Sequence, residues 1–581
     1  MSARGGRPCA LALAPTALLC LGLAGCAGGE GAGEPDAADP RPDAVATPDA
    51  PTGAPTIEPA GSPAGDGAGA PAPVAPHVAN ARADPWFAAG AARIAEPAPV
   101  EAARGAARNA ILFVGDGMGA STVTAARIRE GQLRGEPGEG NALAFDAFPY
   151  TALAKTYNVD AQVPDSAATM TALATGVKTD AGTLGIDEGV VRGDCASGRG
   201  RELVTALELA ELGGLATGIV STARLTHATP AALYAKAADR AWEDDSRMPT
   251  AATGAGCTDI ASQLAGFAAN LRARYPGAEV DGMEVAMGGG RRHFLPADAA
   301  NGPRGRRADG RDLLAEWLAA HPDGTYVDDR AGFDALPEVA TGPVLALLAD
   351  SHLRYEADRV ASDAPEPSLS EMVARALALL DDDPDGFLLV VESARIDHAH
   401  HAGSAHGALA ETIELSRAVA VALEATGPDT LVVVTADHGH TLTLGGRPRR
   451  GNPILGLVVE PGAGAPATAA DGLPYTTLGY RDGLGFRELG DDAFDPDLAY
   501  ALGPAPGRRD LAGVDTASPG FHQEALVPLP AETHSGEDVP VHAIGPGASL
   551  VRGTIEQSAV FHVVERAADL VGRADAALAG R

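Results

Sequence analysis

The segment Glu392-Ser393-Ala394-Arg395-Ile396-Asp397-His398-Ala399-His400-His401 concentrates carboxylates and imidazoles, the oxygen and nitrogen donors that zinc takes. Asp397 and His401 stand four residues apart, so one helical turn would set both on one face. Taken alone, such a tract reads equally well as a surface or adventitious metal site. Two more carboxylates follow apolar runs: Asp437 in Thr435-Ala436-Asp437-His438-Gly439-His440, and Asp116 in Gly115-Asp116-Gly117-Met118-Gly119. Asp-Gly at a strand end is ordinary turn chemistry, yet three carboxylates at three strand ends are harder to assign to turns. A fourth segment, Val163-Pro164-Asp165-Ser166-Ala167-Ala168-Thr169-Met170-Thr171, opens a helical pattern running towards Gly176. A serine there has free backbone N–H groups and the positive end of a helix dipole close by, which favours phosphate oxygens. By itself the same segment is a plain N-cap.

These residues need elements that bring strand ends together. Short apolar runs predict strands at Ala110–Val114, Leu215–Ser221, Met283–Met287, Val344–Leu348, Phe387–Val391, Leu431–Thr435 and Val541–Ile544. Amphipathic patterns predict helices at Ser370–Leu380, Ala410–Glu424 and Ile555–Leu570. Unbroken apolar strands alternating with helices argue for a three-layer αβα sandwich around a mostly parallel sheet. In such folds ligands sit beyond the carboxyl ends of the strands, where Asp116, Glu392 and Asp437 fall. Residues 446–531 are rich in Gly and Pro and read as an insertion in a catalytic domain spanning 101–575.

With 45% hydrophobic residues the chain can bury a large core, while a formal net charge of −33 opposes unspecific binding to nucleic acid. The start carries Arg4 and Arg7, an apolar run from Cys9 to Leu23, and Leu23-Ala24-Gly25-Cys26. This reads as a signal peptide over 1–25 ending in a lipobox, with Cys26 lipidated and plain secretion as the alternative. The chain is then exported, to the periplasm or cell surface. Residues 26–100, dominated up to about Asn80 by Ala, Gly, Pro, Asp, Glu, Ser and Thr, read as a disordered tether. Of five cysteines only Cys195 and Cys257 lie in the mature domain, and an exported chain with two remaining cysteines suggests one disulfide.

Together, Gly115–Gly119, Pro164–Ala168, His227-Ala228-Thr229-Pro230, Glu392 with Ile396–His398 and His401, Thr435–His438 and Glu532-Thr533-His534-Ser535-Gly536-Glu537-Asp538 resemble the alkaline phosphatase family in order and context. The resemblance runs from about Asn109 to Leu570 and is closer to the animal-type branch, with His227 and His398 where the enterobacterial type has Asp and Lys. It implies hydrolysis of phosphate monoesters through a phosphoserine on Ser166, with two zinc ions and one magnesium ion. By the same resemblance Asp397, His401 and His534 hold the first zinc, and Asp116, Asp437 and His438 the second. Asp116, Thr229 and Glu392 hold magnesium, with His227 close by. Arg240 binds the substrate phosphate, Cys195–Cys257 matches a disulfide of animal members, the insertion resembles their crown in patches, and a homodimer is expected.

The chemistry asks for the same residue types. Paired zinc ions stabilise the attacking and leaving oxygens of an in-line displacement, and a serine hydroxyl needs activation before it attacks. One departure is Ala349, which stands where animal members place a glutamate of a fourth, calcium-type site, so that site is expected to be missing. A sulfatase of the same superfamily would show C/S-x-P-x-R around its nucleophile, unlike Ser166-Ala167-Ala168-Thr169. A phosphodiesterase is the alternative enzyme. A lipoprotein that only binds metal or phosphate would need the loss of a catalytic group, and none is lost.

Overall fold

The computed structural model describes residues 84–95, 107–297, 304–339, 341–362, 365–485 and 508–579. Runs such as Ile111–Val114, Leu388–Val391 and Leu431–Val434 carry large apolar side chains on consecutive positions, which suits strands buried on both faces. The described strands are β1 (Asn109–Gly115), β2 (Tyr150–Lys155), β3 (Ala216–Arg224), β4 (Val285–Gly289), β5 (Thr325–Val327), β6 (Val344–Leu347), β7 (Phe387–Ser393) and β8 (Thr430–Ala436). They continue with β9 (Gly439–His440), β10 (Leu442–Leu444), β11 (Leu478–Gly483), β12 (Ala525–Pro528), β13 (His534–Ser535), β14 (Val539–Ile544) and β15 (Gly553–Glu556).

Ten of these form one sheet in the order β15-β2-β14-β8-β1-β7-β3-β4-β6-β5. The run from β8 to β5 is parallel, and β14 enters antiparallel between β8 and β2. Helices Ala120–Leu133, Leu369–Leu380 and Ala405–Ala425 pack together as one layer. Helices Ser166–Thr175, Ala206–Leu212 and Ala559–Ala568 form the other. The expected three-layer sandwich is thus the observed architecture. Register sets the site: Gly115 lies opposite Ala436 on one side and Ser393 on the other, so Asp116, Asp437 and Glu392 emerge at one level.

Three expectations need correction. The predicted helix Ile555–Leu570 is split: Ile555 belongs to β15, the helix runs Ala559–Ala568, and Asp569 ends it in the left-handed conformation at φ 52°. Ile555 is a buried β-branched residue paired beside Ala154 of β2, so sheet pairing decides its state. Strands β2, β5 and β15 carry no long apolar run and were not among the expected ones. The span 26–100 is also not a tether throughout, because Pro85–Ala95 is a helix. Phe87 buries against Phe561 and His562, and Trp86 meets Tyr157 edge-on, which gives this stretch the apolar contacts that the Ala/Pro/Gly sequence before it lacks.

The leader, Cys26 and most of the tether lie outside the described residues. Among those described, no helix is long and apolar enough to cross a membrane. Within 446–531, β11 and β12 run parallel and join β10 in a small separate sheet.

Candidate active site

Asp165 caps the helix Ser166–Thr175, accepting from Ala168 N, so Ser166 opens the helix with its hydroxyl at the carboxyl end of the sheet. Ser166 Oγ lies 3.1 Å from His438 Nε2 and 3.5 Å from Asp116 Oδ1. The turn after β8 is tied down by Asp437 itself, whose Oδ1 accepts from Gly117 N at 3.0 Å and His438 N at 2.8 Å. Its Oδ2 faces His438 Nε2 at 3.4 Å. Gly117 has φ +71°, and a Cβ there would sit 2.4 Å from the His440 ring, so only glycine lets these two turns approach. Ligand atoms of Asp116, Asp437 and His438 fall within 4.8 Å of one another.

A second group adjoins the first, with the rings of His438 and His534 stacked at 3.7 Å. The helix Arg395–His401 follows β7 directly and carries Asp397 and His401 on one face, as their spacing requires. His401 Nδ1 donates to Glu532 O at 2.6 Å and His534 Nδ1 donates to Pro164 O at 2.7 Å. Both Nε2 atoms are thereby turned inward, 3.0 Å apart. They stand 3.3 and 3.2 Å from Asp397 Oδ1. Two imidazole nitrogens and a carboxylate oxygen converging on one point, each ring fixed by a carbonyl behind it, is how protein ligands are set for a cation.

Asp116 Oδ2, Glu392 Oε1 and His227 Nδ1 are buried without a hydrogen-bond partner. Ligand atoms of Asp116, His227 and Glu392 also come within 4.8 Å. Thr229 is buried beside Glu392 in the short helix Ala228–Ala231, whose N-cap is His227. Arg240 reaches the site from a loop and gives Nη1 to Asp165 Oδ2 at 3.0 Å, with Nη2 3.4 Å from His227 Nε2.

Electrostatics favour a cation among these carboxylates. Burial, with Asp437 and Asp397 nearby, pushes Asp116 well above the carboxylate range. Burial, despite a hydrogen bond from Ser221, takes Glu392 up to about 8, with Asp437 and Asp397 adding to it. Burial lifts Asp437 to about 6, against the N–H of Gly117. Burial opposes the ionisation of Asp397 too, but His401, His440 and His534 outweigh it and hold that carboxyl well below its ordinary value. Four buried carboxylates face inward here, and Asp116 Oδ2 and Glu392 Oε1 among them have no partner, an arrangement that fits divalent cations.

A family model described as alkaline phosphatase matches residues 107–570. The chain belongs to the alkaline phosphatase family. It is 44% identical over 474 residues to the tissue-nonspecific alkaline phosphatase of Gallus gallus, covering 80% of this chain and 84% of that one. Against the tissue-nonspecific enzyme of Homo sapiens it is 41% identical over 474 residues, with 80% and 84% covered. Among solved structures, the alkaline phosphatase of Thermus thermophilus aligns with a TM-score of 0.55 at 25% identity, covering 83% of this chain and 96% of that one. The chain is accordingly an enzyme that hydrolyses phosphate monoesters.

All eleven residues that sequence placed in the phosphatase site, Ser166, Arg240, Asp116, Asp397, His401, Asp437, His438, His534, Thr229, Glu392 and His227, lie in these adjoining groups or touch them. Cys195 and Cys257 form a disulfide, with Cα atoms 6.0 Å apart. Two residues went without a role. His440 gives Nε2 to Asp397 Oδ1 at 2.7 Å and Nδ1 to Glu532 Oε2 at 2.5 Å. Burial disfavours its charge, yet Glu532 and Asp397 push it up to about 10. The signal was present: His440 is two residues from His438 in an extended segment, and Glu532 two from His534, so each pair shares a side of the chain.

Proposed function

We propose that this alkaline phosphatase transfers the phosphoryl group of a monoester to Ser166 and then to water, with two zinc ions and one magnesium ion. Asp397, His401 and His534 would hold the first zinc, Asp116, Asp437 and His438 the second, and Asp116, Thr229 and Glu392 magnesium, beside His227. The ions would supply Lewis acidity, favouring an ionised serine oxygen and compensating charge on the phosphoryl group.

The chain's own residues do the rest. The fixed start of its helix holds Ser166 Oγ facing the site, from where it attacks phosphorus. As the Ser166–phosphorus bond forms, the bond to the ester oxygen breaks and the alcohol leaves. Water then attacks the phosphoserine, giving inorganic phosphate and restoring the hydroxyl. Arg240 binds two nonbridging oxygens with its planar fork, and Asp165 fixes that fork. The observation that carries this reading is the placement of Ser166 Oγ within 3.5 Å of both His438 Nε2 and Asp116 Oδ1. Small phosphomonoesters are the substrates of this reading, a homodimer is its assembly, and an exported enzyme anchored by a lipid on Cys26 is its setting.

The test is kcat/KM on matched aryl phosphate monoester, diester and sulfate ester substrates, with and without chelator. The proposal expects monoester preference by orders of magnitude and loss of activity on chelation. Preference for the diester would identify a phosphodiesterase, and activity in zinc-free protein would refute the metal assignment.

A further inference from the structure

One strand of the insertion packs against both segments that carry the first metal group. In β11, Asp482 is buried and its Oδ1 accepts from Thr533 N at 3.0 Å. Thr533 Oγ1 adds contacts of 3.1 Å to Asp482 Oδ1 and Oδ2. Thr533 directly precedes His534. Next in the strand, Gly483 has φ +135°, and a Cβ there would lie 3.1 Å from Glu532 Cβ, so glycine permits the close approach of β11 to the segment 532–534. Two residues before Asp482, Tyr480 Oη lies 2.8 Å from His400 Nδ1, and the His400 ring stacks on His440 at 4.7 Å. Strand β11 therefore touches both chain segments that carry His401 and His534, and none of its side chains enters the group itself.

We propose that Asp482 is a positioning residue for the first metal group, acting through Thr533 to hold the His534 imidazole in its ligating orientation, so that the insertion sets how tightly that metal is kept. This rests on the two-zinc reading above. His534 has two other restraints, the Pro164 carbonyl behind its ring and the pairing of β13 with β9. Loss of Asp482 thus loosens His534 without releasing it. Thr533 is exposed, so water replaces the lost acceptor and the fold as a whole is spared.

The test follows release of zinc from full-length, metal-loaded enzyme into excess chromophoric chelator, with thermal unfolding of the metal-free proteins alongside. Asp482→Ala is expected to release one of two zinc equivalents about tenfold faster than the parent, the scale on which outer partners of metal ligands act. The second equivalent and the metal-free unfolding temperature should stay unchanged. Asp482→Asn should restore most of the retention, since its amide oxygen still accepts from Thr533 N. Unchanged release in Asp482→Ala, equal acceleration of both equivalents, or an Asn variant as fast as Ala would overturn the inference while leaving two zinc ions standing. A parent enzyme that binds fewer than two zinc ions would overturn the two-zinc reading, and this inference with it.

Discussion

Asp165 divides its carboxylate between two tasks. Oδ1 accepts from Ala168 N, Gly182 N and Asn158 Nδ2, fixing the start of the Ser166 helix, while Oδ2 holds Arg240 Nη1. Burial opposes its charge, but Arg240 and these donors keep it below the ordinary carboxylate range. The guanidinium is therefore oriented before substrate arrives. A monoester dianion presents three nonbridging oxygens and nearly two charges, a diester two oxygens and one charge, so the fork matters more for the monoester. Arg240→Ala should lower monoester kcat/KM by about 2 to 4 kcal/mol, with a smaller fall for a matched diester. Equal losses on both would remove Arg240 as the discriminator. At this scale Asp116, Asp437 and His438 taken singly also read as turn or surface residues, and it was their order and context along the chain, through the family resemblance, that singled them out. His440 and Glu532 were passed over although each stands two residues from an expected ligand, because their role lies in contacts with Asp397 and with each other, across residues distant in sequence.

Among elements, legibility followed burial. Strands β1, β7 and β8 are covered on both faces and announce themselves as apolar runs, whereas β2 hides its pattern. Ala152 and Ala154 face inward there while Leu153 is 44% exposed, so the larger apolar residue points the wrong way for a reader of periodicity. At the opposite end of the sheet from the phosphatase site, the start of β3 holds a buried acid pair. Thr217 gives its N–H to Glu284 Oε2 at 2.5 Å and its hydroxyl to Glu211 Oε1, and Asp281 lies near both carboxyls.

Burial raises Glu211 to about 8, with the Thr217 hydroxyl opposing and Asp281 adding. Burial and then Glu211 raise Glu284 to about 9. Folded values above the ordinary 4.5 mean that the fold holds these protons more tightly than the unfolded chain. Stability from the pair is complete below that value and declines as pH rises through about 8 to 9. Glu211→Gln should therefore gain thermal stability relative to the parent as pH rises from 4.5 towards about 8 to 9, with no further gain above that range. A difference independent of pH would contradict the assignment. The disulfide belongs to the same scale. Its cysteines are 62 residues apart, so reduction should cost at most about 4 kcal/mol, measured by denaturant unfolding with and without reductant.

For the molecule as a whole, charge and metals act together. A chain of net charge −33 that folds carboxylates into its centre needs compensating positive charge there, which the proposed cations would supply. Chelation should abolish activity, and zinc with magnesium should restore more than either alone, because the donor sets differ. Full recovery with magnesium alone would contradict two zinc groups. The overall architecture was legible because the alternation of strand and helix leaves few topologies. The approach of the insertion to the segment that carries His534 was not, since Asp482 and Thr533 are 51 residues apart and nothing local in either marks the other.

The most direct test of the account is acid quench of the enzyme during turnover, followed by mass mapping of phosphopeptides. Phosphate on Ser166 alone is the predicted result, together with a loss of several orders of magnitude in activity for Ser166→Ala in a folded, metal-loaded protein. Near-parental activity in that variant, or trapped phosphate on a different residue, would contradict the central claim.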